Sequence, residues 1–209
     1  MRLVLISDTH GQHRKFDIPE GDVLIHAGDF MWSGRNYEEI IDFDVWLGSL
    51  PHKHKIVIAG NHDILFEQQY SARNHLTNAT YLQDSGIEID GLKFWGAPWQ
   101  PEFNNWAFNV PRGAAIKKYW DLIPEGTDVL ITHGPPWGKL DRVVPKHGVE
   151  HLGCGELLKA VDRVQPRLHV FGHIHGGYGT MWEEDTHFVN AELLNEQYRP
   201  VNKPVVVEL

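Results

Sequence analysis

The chain has 209 residues, 42% hydrophobic, 22% charged and 11% aromatic, enough apolar content for a sizeable core and too much for a disordered segment. Against 19 Lys and Arg stand 28 Asp and Glu, a formal charge of −9, which excludes an extended nucleic-acid surface and argues against docking on an anionic membrane. Fourteen histidines accompany one cysteine, Cys154, so an internal disulfide and a thiolate zinc cluster are excluded while the surplus imidazole needs an explanation.

Residues 3–7 form the first apolar run, ended too soon by polar residues for a signal peptide. No stretch nears the roughly 20 apolar residues of a spanning helix. A cytoplasmic protein with one domain over 1–209 is therefore expected. The run 3–7 predicts a strand, and 23–27 a second. Ile40, Phe43, Leu47 and Leu50 recur at spacings of three and four, which predicts a helix with Glu38 and Glu39 in its first turn. Residues 55–59 predict a third strand, followed by a short helix after His62. Runs 80–83 and 87–89 read as strands about a Ser85-Gly86 turn, and 92–96 as another strand. A helix is expected over 113–120 and a strand over 129–132. Leu157, Val161 and Val164 predict a helix stopped by Pro166, and strands follow at 168–172, 187–190 and 205–209. This alternation is α/β, a class whose sites form at the carboxyl ends of strands.

The residues after those runs share one chemistry. They are Ser7-Asp8-Thr9-His10, Gly28-Asp29, Gly60-Asn61-His62-Asp63, Thr132-His133-Gly134 and Gly172-His173-Ile174-His175. Each offers carboxylate, imidazole or amide oxygen at a strand end. Asp8 and His10, like His173 and His175, are two apart and would leave an extended segment on one side. So many ligands suit two ions about 3.5–4 Å apart better than one tetrahedral ion, and a shared Asp would hold that spacing.

These five blocks resemble the calcineurin-like metallophosphoesterase superfamily, and the likeness runs from residue 8 to 175. Residues 58–62, 81–85, 96–99 and 132–136 look closer still to the metallophosphoesterase-domain-containing brain proteins and their bacterial relatives, which act as metal-dependent cyclic nucleotide or related phosphodiesterases. The resemblance implies a two-sheet α/β/β/α sandwich with a dimetal site at the strand ends. It implies that Asp8, His10 and His175 bind the first metal, that Asp29 bridges, and that Asn61, His133 and His173 complete the second. His62 would face the scissile phosphate, oriented by Asp63. Vertebrate members of that type carry glycine where this chain has His173, and the segment from His62 to Leu76 is shorter here.

The expected function is hydrolysis of small phosphodiesters, cyclic nucleotides among them, by in-line attack of a metal-bridging hydroxide with His62 assisting the leaving group. A phosphomonoesterase or nuclease using the same site is the alternative within this class, and a non-catalytic metal-binding scaffold the alternative outside it. Two metal ions are implied, Mn²⁺ first, with Fe, Zn²⁺ or Co²⁺ compatible with the same ligands. The loop holding Trp99, Phe103, Trp106 and Phe108 would either stack on a nucleobase or pack on its own aromatics. Trp99 and Arg112 are the candidate substrate contacts. Of the other histidines, His52, His54 and His75 are expected in solvent, His26 and His169 in the core, and His147 and His151 beside a turn.

Overall fold

A computed structural model describes residues 1–143 and 148–209; His147 lies outside the described residues. In chain order the strands are β1 (Arg2–Ile6), β2 (Val23–His26), β3 (His54–Val57), β4 (Thr80–Tyr81), β5 (Ser85–Ile89), β6 (Leu92–Ala97), β7 (Gln100–Pro101), β8 (Asn109–Val110), β9 (Val129–Thr132), β10 (Arg142–Val143), β11 (Glu150–His151), β12 (Leu168–Phe171), β13 (Gly179–Glu183), β14 (Thr186–Asn190) and β15 (Val205–Glu208). The α-helices are α1 (Tyr37–Ser49), α2 (Ile64–Gln68), α3 (Ala114–Trp120) and α4 (Gly155–Val164). Asn36 caps α1 by accepting from the Glu38 N–H, and α4 ends at left-handed Gln165 just before Pro166.

Two main sheets carry the architecture, ordered β15-β1-β2-β3-β4 and β13-β14-β12-β9-β6-β5. Strands β1 to β4 run parallel, with β15 antiparallel on the edge. In the second sheet β6, β9, β12 and β14 run parallel between antiparallel edges β5 and β13. Strand periodicity sorts side chains into three cores. Leu3, Leu5, Ile25 and Ile56 meet Val129, Ile131, Leu168 and Val170 between the sheets. Val4, Ile6, Leu24 and Val57 point the other way, under Ile40, Phe43 and Leu47 of α1. Leu130 and Phe171 face outward under Ile116 and Trp120 of α3 and Leu157 and Val161 of α4. Helix, sheet, sheet and helix stack as four layers. The middle strands are buried on both faces, which is why their sequences are continuously apolar rather than alternating.

Three expectations change. Ser85 and Gly86 are not a turn but the first residues of β5, opposite Gly96 and Trp95. The reversals fall instead at left-handed Asp84, and at Asp90-Gly91 between β5 and β6. Strand β13 has no counterpart in the sequence reading, because Gly-Thr-Met-Trp-Glu shows no alternation of apolar and polar residues and lies partly exposed on an edge. His52 is buried rather than solvated, with Nε2 2.9 Å from the Pro19 carbonyl.

The sheets are joined at their carboxyl ends by residues 191–194. The Ala191 N–H donates to the Phe171 carbonyl of β12, and the Leu193 N–H to the Ser7 carbonyl beyond β1. Nearby, His26 and His169 are core histidines held by threonines: His26 Nε2 lies 2.9 Å from Thr9 Oγ1, and His169 Nε2 2.8 Å from Thr132 Oγ1. Because the Thr132 hydroxyl donates to the Gly134 carbonyl, it accepts from His169, whose buried Nδ1 has no partner. Burial pushes the His169 pKa down from 6.5 to about 3. The unfolded chain therefore binds more protons across that window, and stability falls as pH drops from 6.5 toward 3. His169→Gln keeps a donor for Thr132 and cannot be protonated. It is expected to reduce the loss of unfolding free energy between pH 6.5 and 4.5 by about 2 kcal/mol, measured by urea titration at each pH.

Candidate metal centre

Each histidine and carboxylate of the centre follows directly from a parallel strand: β1 leads to Asp8 and His10, β2 to Asp29, β3 to Asn61, β9 to His133, and β12 to His173 and His175. The expected extended segments are not observed. Asp8, His10, Asp29 and His173 are left-handed, with φ of 54°, 41°, 58° and 68°. Each such residue costs on the order of 1 kcal/mol and persists only where its surroundings impose it. Here hydrogen bonds impose it: the Asp8 N–H donates to Gly28 O, the His10 N–H to Asp29 O, and the His173 N–H to Asp8 Oδ2, all at 3.0 Å. The kinks turn successive side chains toward one point. Crowding there excludes side chains at three positions, and a Cβ on Gly28 would strike His133 Nδ1. A Cβ on Gly60 would strike Asp29 Oδ1, and one on Gly172 would strike Asp8 Oδ2.

Donor atoms converge without filling the space between them. His10 Nε2 lies 3.9 Å from Asp8 Oδ1 and 3.7 Å from Asp29 Oδ2. His175 Nε2 is 4.0 Å from Asp8 Oδ1, and His133 Nε2 is 3.5 Å from Asp29 Oδ2 and 2.9 Å from Asn61 Oδ1. The His173 ring packs edge-on to that of His133 at 4.9 Å. Two donors each about 2.1 Å from one cation stand about 3.0–3.4 Å apart, so small adjustments close both groups. Asp29 Oδ2 lies between the histidines of the two groups, where a shared carboxylate belongs. Among the described residues, Asp8 Oδ1 and His10 Nε2 are buried without a hydrogen-bond partner, a deficit that a cation would satisfy.

The electrostatics agree. Burial alone would lower His133 and His175, but Asp29 outweighs it for His133, and Glu192 with Asp8 outweighs it for His175, so both rise to about 9. Burial pushes the Asp29 carboxyl up, yet His133 and then His10 hold it below its ordinary range. His173 is pushed down to about 3 by burial and His133, which leaves a neutral imidazole. A field that retains protons on two imidazoles favours a divalent ion in their place.

His62 and Asp63 divide their work differently from the sequence expectation. The His62 N–H donates to Asp29 Oδ1 at 2.7 Å. Its Nδ1 lies 3.3 Å from the Trp32 carbonyl, which can only accept, and its ring stacks on Trp106 at 4.2 Å. Asp63 does not orient that imidazole. Its Oδ2 accepts from the N–H groups of Gly60 and Asp29, and its Oδ1 from Met31, at 2.7, 2.9 and 2.9 Å. One buried carboxylate thus braces the loops after β2 and β3.

A cleft of about 520 Å³ opens beside Asp29, Asn61, His62, His173 and His175. Residues 1–177 match the profile described as calcineurin-like phosphoesterase. The chain belongs to that family. It is 48% identical over 233 residues to metallophosphoesterase domain-containing protein 1 of Homo sapiens, covering all of this chain and 71% of the human one. It is 40% identical to UPF0046 protein K07C11.7 of Caenorhabditis elegans, covering 99% of this chain and 74% of that one. A crystal structure of TT1561 of Thermus thermophilus shares the fold, with a TM-score of 0.58 at 14% identity over 90% of this chain and 88% of that one. Family membership makes the chain a metal-dependent phosphoesterase with a dimetal centre, and among the described residues Asp8–His10–His175, Asp8–Asp29–His133 and His10–Asp29–His62 bring donor atoms close enough to hold an ion. Among the described residues, no helix is long and apolar enough to cross a membrane.

The candidate substrate contacts fare differently. Trp99 is not on the cleft. Its Nε1 donates to Asp84 at 2.9 Å, and its ring packs on Tyr119 and Phe108, so the loop's aromatics here serve the core. Trp106 and Phe103 are the loop aromatics that reach the cleft. Arg112 lines it, but its guanidinium donates to the Gly153 and Leu152 carbonyls at 2.8 and 2.7 Å. Two residues at the centre escaped the sequence reading. Glu192 Oε1 lies 2.5 Å from His175 Nδ1, and the Tyr198 ring packs against His10 and His175. Glu192 had a signal: strand 187–190 ends in Asn190-Ala191-Glu192, a sixth strand end with a carboxylate.

Since His133 and His175 hold protons below about pH 9, a metal must displace them, and affinity falls as pH drops below that value. Mn²⁺ affinity is expected to rise between pH 7 and 9, up to tenfold per unit for each proton displaced, with proton release read by calorimetry in buffers of different ionisation enthalpy. Asp63→Ala leaves three buried N–H groups without an acceptor. It is expected to cost about 3 kcal/mol or more and to lower metal content. A residue that only oriented His62 would lower turnover and leave both unchanged.

Proposed function

We propose that the cleft hydrolyses small phosphodiesters bearing a planar group, cyclic nucleotides among them, with Mn²⁺ as the cation. The observation carrying this reading is the charge of the cleft wall. Among the described residues lining it, the one guanidinium or ammonium is Arg112, committed to two carbonyls, while Glu102 and Glu196 add negative charge. A monoester dianion would need a further cation there, whereas a diester carries a single charge for the metal centre to match. Exposed Phe103 and half-buried Trp106 line the cleft and offer apolar surface for a base or aryl group. The volume of about 520 Å³ suits a small ligand and not a polymer's length.

Divalent cations bound there would polarise the phosphoryl group and lower the pKa of water. The chain's own groups do the rest. Asn61, His173 and His175 line the cleft at the metal centre, where the phosphoryl group would lie. Trp32 O fixes the proton on His62 Nδ1, and stacking on Trp106 holds the ring at the cleft. Nε2 of that ring is then the atom that, when protonated, gives its proton to the leaving oxygen. Mn²⁺ suits the ligand set, which mixes carboxylate and amide oxygen with imidazole and contains no thiolate, as Fe, Zn²⁺ and Co²⁺ also do.

The test compares an aryl diester, the matching aryl monoester and a panel of cyclic nucleotides at fixed Mn²⁺. The expected kcat/KM favours diester over monoester by at least tenfold, and a reversed ratio would assign the site to monoesters. Fully metallated protein inert to all of them would leave the scaffold reading instead. His62→Ala is expected to lower kcat by 10²–10⁴-fold with metal content unchanged. Metal loss in that variant would make His62 a ligand.

A further inference from the structure

The family profile ends at residue 177, yet the metal centre does not. Glu192 comes from the segment that joins the two sheets, pairing beside Ser7 and placed by the Ala191 and Leu193 hydrogen bonds. It is completely buried, and among the described residues its Oε2 meets no donor. A carboxylate in that position is costly unless a cation faces it. What faces it is His175, whose Nδ1 lies 2.5 Å from Oε1 and 3.2 Å from the Asn195 carbonyl, and whose Nε2 points to Asp8 Oδ1 on the ring's other side. The corresponding histidine of the second group, His133, is backed at Nδ1 by a neutral carbonyl, Ala27 O, at 3.0 Å.

We infer that Glu192 is a positioning residue of the metal centre, holding His175 with Nε2 toward the ion and making the Asp8–His10–His175 site the tighter of the two. Charge makes the difference. Outside the shared Asp29, the first group has Asp8 directly and Glu192 behind it, whereas Asn61, His133 and His173 are all neutral ligands. An outer carboxylate also raises the basicity of its imidazole and sets its tautomer, effects worth 10–100-fold in metal affinity. The inference rests on the dimetal centre and is independent of the diester reading.

The experiment is a Mn²⁺ titration of the metal-free full chain, following free ion by electron paramagnetic resonance, with no substrate present. Wild type is expected to show two unequal sites. Glu192→Gln, nearly the same in shape but uncharged, is expected to weaken the tighter site 10–100-fold and leave the other within threefold. Glu192→Asp keeps the charge at shorter reach and is expected to lose less than Glu192→Gln. Asn202→Ala removes the bond from Asn202 Nδ2 to the Glu192 backbone carbonyl (3.1 Å) without touching the carboxylate, and should leave both sites within threefold. Two equal sites in wild type would overturn the inference. So would an unchanged tight site in Glu192→Gln, equal losses for Gln and Asp, or an equal loss in Asn202→Ala, which would make segment position and not the carboxylate responsible. A wild type that binds no Mn²⁺ would overturn the dimetal centre itself. Diester turnover can fail without affecting any of these readings.

Discussion

Three backbone N–H groups converge on the Asp63 carboxylate, and the metal centre depends on that convergence. Sheet pairing sets β2 beside β3 as far as His26 and Ile58, but the loops that follow lie beyond that ladder. Asp63 ties them from inside, by giving three buried donors their acceptor. Once those loops are tied, Asp29 Oδ1 accepts the His62 N–H and Oδ2 is left facing His10 and His133. The left-handed residues around it are stable because each N–H has a place to go.

Much of this was legible from sequence, for physical reasons that also mark the limits. Strands buried on both faces are continuous apolar runs, so β1, β2, β9 and β12 stood out, and ligands placed directly after such runs are local features. Side-chain direction was not local. The kinks at Asp8, His10 and His173 come from hydrogen bonds to residues far along the chain, and an alternation rule applied to the motifs predicted extended backbone instead. Asp63 follows His62 in sequence, which suggested a partner for that imidazole, while its actual partners lie across two loops. Trp99 had the composition of a stacking residue but sits beside Asp84, which satisfies its N–H in the core. Strand β13, partly exposed on an edge, carried no periodicity to read.

The overall charge of −9 and the local field of the centre point in different directions. Distributed acid discourages polyanions, yet the carboxylates that matter are buried beside imidazoles, where low dielectric makes each count for more. Asp8 and Asp29 are almost inaccessible, so their field is directed at whatever occupies the centre. Glu102 and Glu196 on the cleft wall act outward, on what approaches. The same residue type thus attracts a cation inside and limits the charge of an anion outside.

The joining segment at 191–194 has a consequence for the order of assembly. β1 leaves the ribosome well before the strand that covers its free edge, β15, and before the carboxylate that supports His175. Until those arrive, the ligands of the centre exist on a nascent chain with an open sheet edge and an unsupported histidine. The centre is therefore complete only once residues 191–208 have docked on the first sheet.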